Sequence, residues 1–148
     1  MNLRRSFISL VGALALAVPV MAIAAPLIAL DSAVYVEKVA PGKGRSLQPA
    51  ARLNRGDRLV YVVSWYRMGG TGAFTVTNPL PHSVYYQGSA DGREEVSLDR
   101  GKTWGKLEQL RIGDRIATPE DVTQVRWHVA ADQAAHGSGE ITYSAIVR

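Results

Sequence analysis

The sequence predicts an all-β protein built on a sandwich core, and three observations carry that prediction. Apolar residues recur with a period of two in several separate runs, Gly and Pro punctuate those runs at short intervals, and no long segment shows helical periodicity. The stretch from Gly56 to Pro81, GDRLVYVVSWYRMGGTGAFTVTNPLP, organises the rest: two alternating runs, broken by Met68-Gly69-Gly70-Thr71-Gly72, that read as paired strands. A chain of 148 residues has room for one domain. With only 20% charged residues and plentiful aliphatics, it is too apolar for intrinsic disorder.

The N-terminus has the layout of a secretory signal. Arg4 and Arg5 precede an apolar stretch from Phe7 through Ile23, and Ala22-Ile23-Ala24 supplies a small-x-small cleavage site. Residues 1–24 are therefore expected to be removed before Ala25, leaving a mature domain over 25–148 that is periplasmic or extracellular. A cut after Ala25 would set Pro26 behind the scissile bond. An uncleaved anchor is the alternative, since no charge falls between Arg5 and Asp31, but Pro19 and the Ala-rich end oppose it. Once the signal is cleaved, no stable membrane anchor is expected. Without Arg4 and Arg5, 15 Lys and Arg face 13 Asp and Glu, a net +2, too little for the cationic footprint that nucleic acid requires. The chain has no Cys, which excludes disulfides, thiolate chemistry and lipid attachment through an N-terminal Cys.

The elements follow in order. Leu30 to Val39 alternates Val34 and Val36 against Tyr35 and Glu37 and predicts a first, edge-forming strand. Pro41 to Ser46 reads as a loop, and Pro49 to Asn54 has no clear period. The turn Asn54-Arg55-Gly56-Asp57 leads into a strand with Leu59, Tyr61, Val63 and Trp65 facing inward. After the Gly-rich connection Phe74 and Val76 face inward too, and Pro79 and Pro81 end that strand. Val84 to Tyr86 is a short strand, and Gly88 to Gly92 a loop. Gly113-Asp114 marks a turn, and Thr118-Pro119-Glu120-Asp121 one capped helical turn. Val125, Trp127 and Val129 predict a strand with Trp127 in the core. Ala130 to Gly139 reads as a loop, and Ile141, Tyr143, Ala145 and Val147 as the final strand.

GDRLVYVVSW, a Gly-rich turn and FTVTNPLPHSVYYQGS together resemble the repeat domain of bacterial surface and exported proteins called the DUF11 or conserved-repeat family. Its pattern is met at Gly56, Asp57, Tyr61, Gly69, Leu80 and Pro81. The chain differs at Arg67, where the family usually has Asn, and at Asn78, where it usually has Asp. Val125-Arg126-Trp127 followed by Gly137-Ser138-Gly139 and a last strand resembles the Gram-negative version of the family. The resemblance runs from about Val34 onward. It implies an immunoglobulin-like β-sandwich of about seven to nine strands, and it carries no active site.

Few residues stand out as functional candidates. Seven basic residues from Lys38 to Arg67 face only Glu37 and Asp57 among the acids, making Arg52, Arg55 and Arg58 a candidate docking patch. Tyr85 and Tyr86 must face opposite sides of their strand, so one is expected at the surface beside a loop, as a recognition residue. Ser97 to Trp104, SLDRGKTW, fits Ser-x-Asp-x-Gly-x-Thr-Trp and resembles the Asp-box of sialidase-like propellers. There Asp99 is expected to bond backbone N–H groups across the turn, Gly101 to supply the permissive dihedral, Thr103 to complete the pattern and Trp104 to anchor the returning strand. This is a structural hairpin, single in a chain too short for a propeller. His82, His128 and His136 have no ligand spacing, so no metal site is expected. Without a nucleophile elbow, a paired-carboxylate motif or a phosphate-binding loop, neither catalytic residues nor a cofactor are expected.

Taken together the residues lead to an exported, non-catalytic module that contacts an envelope protein or surface polymer. Carbohydrate binding or processing, suggested by the Asp-box and by Tyr66, Tyr85, Tyr86 and Trp104, is the alternative. Donation of the last strand to a partner is a third reading.

Overall fold

The computed structural model describes residues 24–148; the signal-peptide reading of residues 1–24 therefore lies, but for Ala24, outside the described residues. The fold is all-β, and every strand pairing is antiparallel. The described residues form ten strands: β1 (Leu27–Ala40), β2 (Gly44–Pro49), β3 (Arg58–Gly69), β4 (Phe74–Pro79), β5 (Val84–Ser89), β6 (Glu95–Ser97), β7 (Arg111–Ile112), β8 (Arg115–Ile116), β9 (Gln124–Val129) and β10 (Ser138–Val147). A five-stranded sheet runs in the order β2-β1-β3-β10-β5, and a three-stranded sheet in the order β4-β9-β6. The remaining two strands form a hairpin whose turn is Gly113-Asp114, as the sequence predicts.

The two sheets share one core. Leu59, Tyr61, Val63 and Trp65 of β3 are all buried, as their alternation requires, and meet Val76, Val125 and Trp127 from the smaller sheet. Tyr143 lies at the centre. It stacks on Tyr61 with ring centroids 4.7 Å apart, leans on Trp127 at 5.3 Å, and accepts a hydrogen bond of 2.6 Å from Asn78 Nδ2. Burial raises the pKa of the Tyr143 phenol, and the neighbouring Tyr61 adds to the shift. Phe74 is only partly buried, with its ring edge against Trp65 at 5.1 Å.

The run from Gly56 to Pro81 is not a strand pair. β3 lies between β1 and β10, whereas β4 pairs with β9 in the other sheet. Gly70 and Gly72, at φ of 71° and 95°, allow the chain to leave one sheet and enter the other. Arg67 fixes this crossing: its guanidinium donates to the carbonyls of Ala134, Gly70 and Gly72 at 2.9, 2.9 and 2.7 Å. A donor fork of that kind holds three backbone acceptors that no ladder satisfies.

Two further expectations change. The first strand begins at Leu27 and is interior, because β2, read as loop and aperiodic chain, pairs along it from Tyr35 and Pro49 to Ala40 and Gly44. All six residues of β2 are exposed, so its sequence carries no burial pattern to reveal it. The Ala130 to Gly139 loop contains one helical turn, α1 (Ala131–Ala134), pinned by the fully buried Ala134. The last strand is held inside its own sheet between β3 and β5, which removes the basis for its donation to a partner.

Candidate functional site

Both sheets lose an edge strand at the same corner. β5 follows β10 from Val84 opposite Val147 to Ser89 opposite Tyr143, with a bulge between Ser144 and Ala145, and then departs. β6 follows β9 only from Glu95 opposite Arg126 to Ser97 opposite Gln124. The chain between them, residues 90–94, crosses from the larger sheet to the smaller. Among the described residues, Ser138 to Thr142 of β10 and Trp127 to Val129 of β9 therefore have no ladder partner on that side.

The opening is a cleft of about 310 Å³. Trp65 and Trp127 line it, with Gln133, His136, Glu140 and the loop residue Asp91 around them. A recess of about 200 Å³ runs on beside Ile141 and Thr142. Any side chain at Gly139 would be crowded here, because a Cβ would stand 2.5 Å from the Trp65 ring. The crossing loop is fastened at both ends. Lys106 Nζ donates to the carbonyls of Gly92 and Glu94, both at 2.7 Å, and the Tyr86 and Ser89 hydroxyls both donate to the Glu94 carboxylate. Asp91 accepts from the Arg93 backbone and guanidinium. Burial pushes the Asp91 carboxyl up, but these bonds outweigh it and hold it below its ordinary value. The corner thus stays open by construction, and it offers aromatic surface, hydrogen-bonding side chains and unpaired strand edge.

The residues singled out from sequence go elsewhere. Tyr86 is not on the surface. It faces the core at 4% exposure, and its phenol pKa is raised by burial and by the hydrogen bond to Glu94. Tyr85 takes the opposite face, half-buried under the Arg148 guanidinium at 5.7 Å, and shares a groove with Arg55. Arg58 also lies on that outer face, but its charge is used within the fold. It pairs with Glu37 at 3.1 Å and donates to Ser144 Oγ at 3.0 Å. Arg52 is exposed and does not line the Arg55 groove.

The loop Ser97–Trp104 has the expected geometry. Asp99 Oδ1 accepts from the N–H groups of Lys102 and Thr103 at 3.1 and 2.9 Å, and Oδ2 from the Thr103 hydroxyl at 2.7 Å. Gly101 has φ of 88°, and Trp104 Nε1 donates back to its carbonyl at 2.9 Å. The half-buried indole is covered by the Arg126 guanidinium at 4.4 Å. Sequence reasoning named Ser97 in the pattern but gave it no role; its fully buried Oγ donates to Asp99 and accepts from Gly101 N–H at 2.8 Å. Replacing Ser97 by Ala strands these partners, and urea denaturation is expected to show a loss of about 1–3 kcal/mol.

The bonds from the Thr103 side chain and backbone hold the Asp99 carboxyl down at about 2, and the bidentate Arg115 pair, at 2.7 Å on each oxygen, holds Asp121 lower still. Both lie below the unfolded carboxyl value of roughly 3.9. Their stabilisation is therefore complete above that value and lost as the pH falls through the folded values. Urea midpoints should be flat from about pH 7 to pH 5 and drop below about pH 4. Asp99→Asn should shrink the part of that drop above pH 2.

A hydrogen-bonded chain absent from the sequence reading crosses the outer face of the smaller sheet. Thr75 Oγ1 meets His128 Nδ1 at 3.0 Å, and His128 Nε2 meets Glu95 at 3.1 Å. Glu95 also takes Arg126 at 2.7 Å, and its carboxyl is held down first by Arg126 and then by His128. Thr75 is exposed and His128 also lines the cleft, and the bonds run from strand to strand as a cross-strand ladder. Among the described residues no three His, Asp or Glu side chains group as metal ligands. The fold and the cleft define an all-β protein whose two larger sheets share a core and leave a cleft at one corner. No family model, curated protein or solved structure matches the chain.

Proposed function

We propose that this chain is an exported, non-catalytic module, an immunoglobulin-like sandwich of the conserved-repeat type, which works by binding a protein or surface polymer of the bacterial envelope. The observation that carries this reading is the fixed corner opening, where two sheets expose unpaired edge beside an aromatic cleft. Features of that kind serve recognition. Export is supported by the Arg4-Arg5 and apolar leader pattern, and the family reading by the GDRLVYVVSW and FTVTNPLP motifs. The most perturbed carboxylates, Asp99 and Asp121, are spent on local bonds rather than presented to a substrate.

Cross-linking in intact envelopes is the test. The mature protein should begin at Ala25 and give a discrete adduct. The reading is overturned by an N-terminus at Met1, or by the absence of any adduct together with wild-type envelope properties in a deletion strain. A glycan-binding reading draws on the two tryptophans and hydrogen-bonding side chains of the cleft. It draws nothing from the Ser97–Trp104 loop, whose polar groups are consumed internally.

A further inference from the structure

We propose that the open corner accepts an extended peptide segment, which adds as a strand along Ser138 to Thr142 of β10 and sends one bulky side chain into the tryptophan-lined cleft. The proposal deepens the interaction-module reading and rests on it. Three observations support a peptide over other occupants. An edge of five residues presents N–H and C=O groups that alternate along a line, and an antiparallel polypeptide is the ligand whose own groups match that line. The track is open along its length, because the 310 Å³ cleft lies beside Ser138 to Ile141 and the 200 Å³ recess beside Ile141 and Thr142. It is also the line that β5 would have followed had it not turned away at Ser89.

The register defines the chemistry of the segment. Gly139 and Ile141 lie on the inner face, since they pair with Trp65 and Val63, and Glu140 lies on the outer face opposite Ser64. Residues of the added strand opposite Gly139 and Ile141 therefore point into the cleft. The place opposite Gly139 faces the Trp65 ring, which lies over that glycine and fills the space a Cβ would take. A Trp or another large apolar group fits there, against the tryptophans. The residue opposite Glu140 points outward, beside a carboxylate that has no ion pair among the described residues. A Lys at that place forms a cross-strand charge pair. Read antiparallel to β10, the segment is a small residue, an aliphatic, a basic residue, a bulky apolar residue and a small residue.

The probe is acetyl-Thr-Leu-Lys-Trp-Thr-amide, titrated into the 15N-labelled exported protein. Saturable amide shifts and slowed hydrogen exchange confined to 138–142, 127–129 and 90–94 are expected. Trp→Ala in the probe, or N-methylation of the amides that face β10, should each weaken binding at least about tenfold. Glu140→Lys alters an exposed side chain, leaves the fold intact, and should reverse the preference between the Lys probe and its Lys→Glu form. Four results would overturn the proposal: no shift at millimolar probe, N-methylated and plain probes binding alike, chitotetraose occupying the cleft while the peptide does not, or self-association of the protein through β10 that the probe fails to compete with. None of these touches envelope cross-linking, so the peptide site can fail while the interaction-module reading stands.

Discussion

Trp127→Ala is expected to remove about 3–5 kcal/mol of stability, read as a fall in the urea midpoint with unchanged slope. Trp127 is 4% exposed and touches Tyr143, the residue that joins the two sheets by stacking on Tyr61 and accepting from Asn78. Truncation there leaves a cavity beside a cleft already open to solvent, so water enters the gap and the phenol of Tyr143 loses its apolar cover. Against a typical total of roughly 5–15 kcal/mol, the variant sits near the edge of folding. Trp127→Phe keeps a ring in the site and should recover more than half of the loss. A change below about 1 kcal/mol would mean that the ring does not hold the sheets together.

Gly139→Ala should cost about 1–3 kcal/mol, although it adds one methyl group. The new Cβ would stand 2.5 to 2.7 Å from three atoms of the Trp65 ring. That ring cannot retreat freely, since Phe74 packs against it at 5.1 Å. Relief comes from a shift of Trp65 into the cleft it lines, expected to redden its fluorescence. Pairing the change with Trp65→Leu should give a double variant whose loss is at least about 0.5 kcal/mol smaller than the sum of the two single losses, because the smaller side chain removes the clash. Strict additivity would show that the ring and the glycine do not contact one another.

Local features were legible in the sequence, and pairings were not. Alternation identified Leu59, Tyr61, Val63, Trp65, Trp127 and Tyr143 as inward because burial on one face imposes a period of two. The same signal is silent about neighbours, so the closeness in sequence of β3 and β4 suggested a hairpin where the chain in fact changes sheets. β2 left no trace because none of its side chains is buried. Asp99, Gly101, Thr103 and Trp104 were readable because most of their bonds close within a few residues of chain. Tyr85 and Tyr86 were assigned to opposite faces correctly, but which one turns inward is set by the pairing of Tyr86 with Ala145, far along the chain. The cleft is the extreme case. It arises where two ladders stop, and it is defined by missing partners that no single segment encodes.

The position of β10 bears on how the chain reaches this state. Among the described strands it comes last in chain order, yet it sits between β3 and β5 and joins β5 to the rest of the larger sheet. Until it arrives, β3 has one open side, and the stacked pair of Tyr61 and Tyr143 cannot form. Closure must bring together segments separated by most of the domain, which places folding in the slow class of roughly milliseconds to seconds. Until β10 docks, the antiparallel pair of β1 and β3 exposes the open side of β3 as a sticky edge.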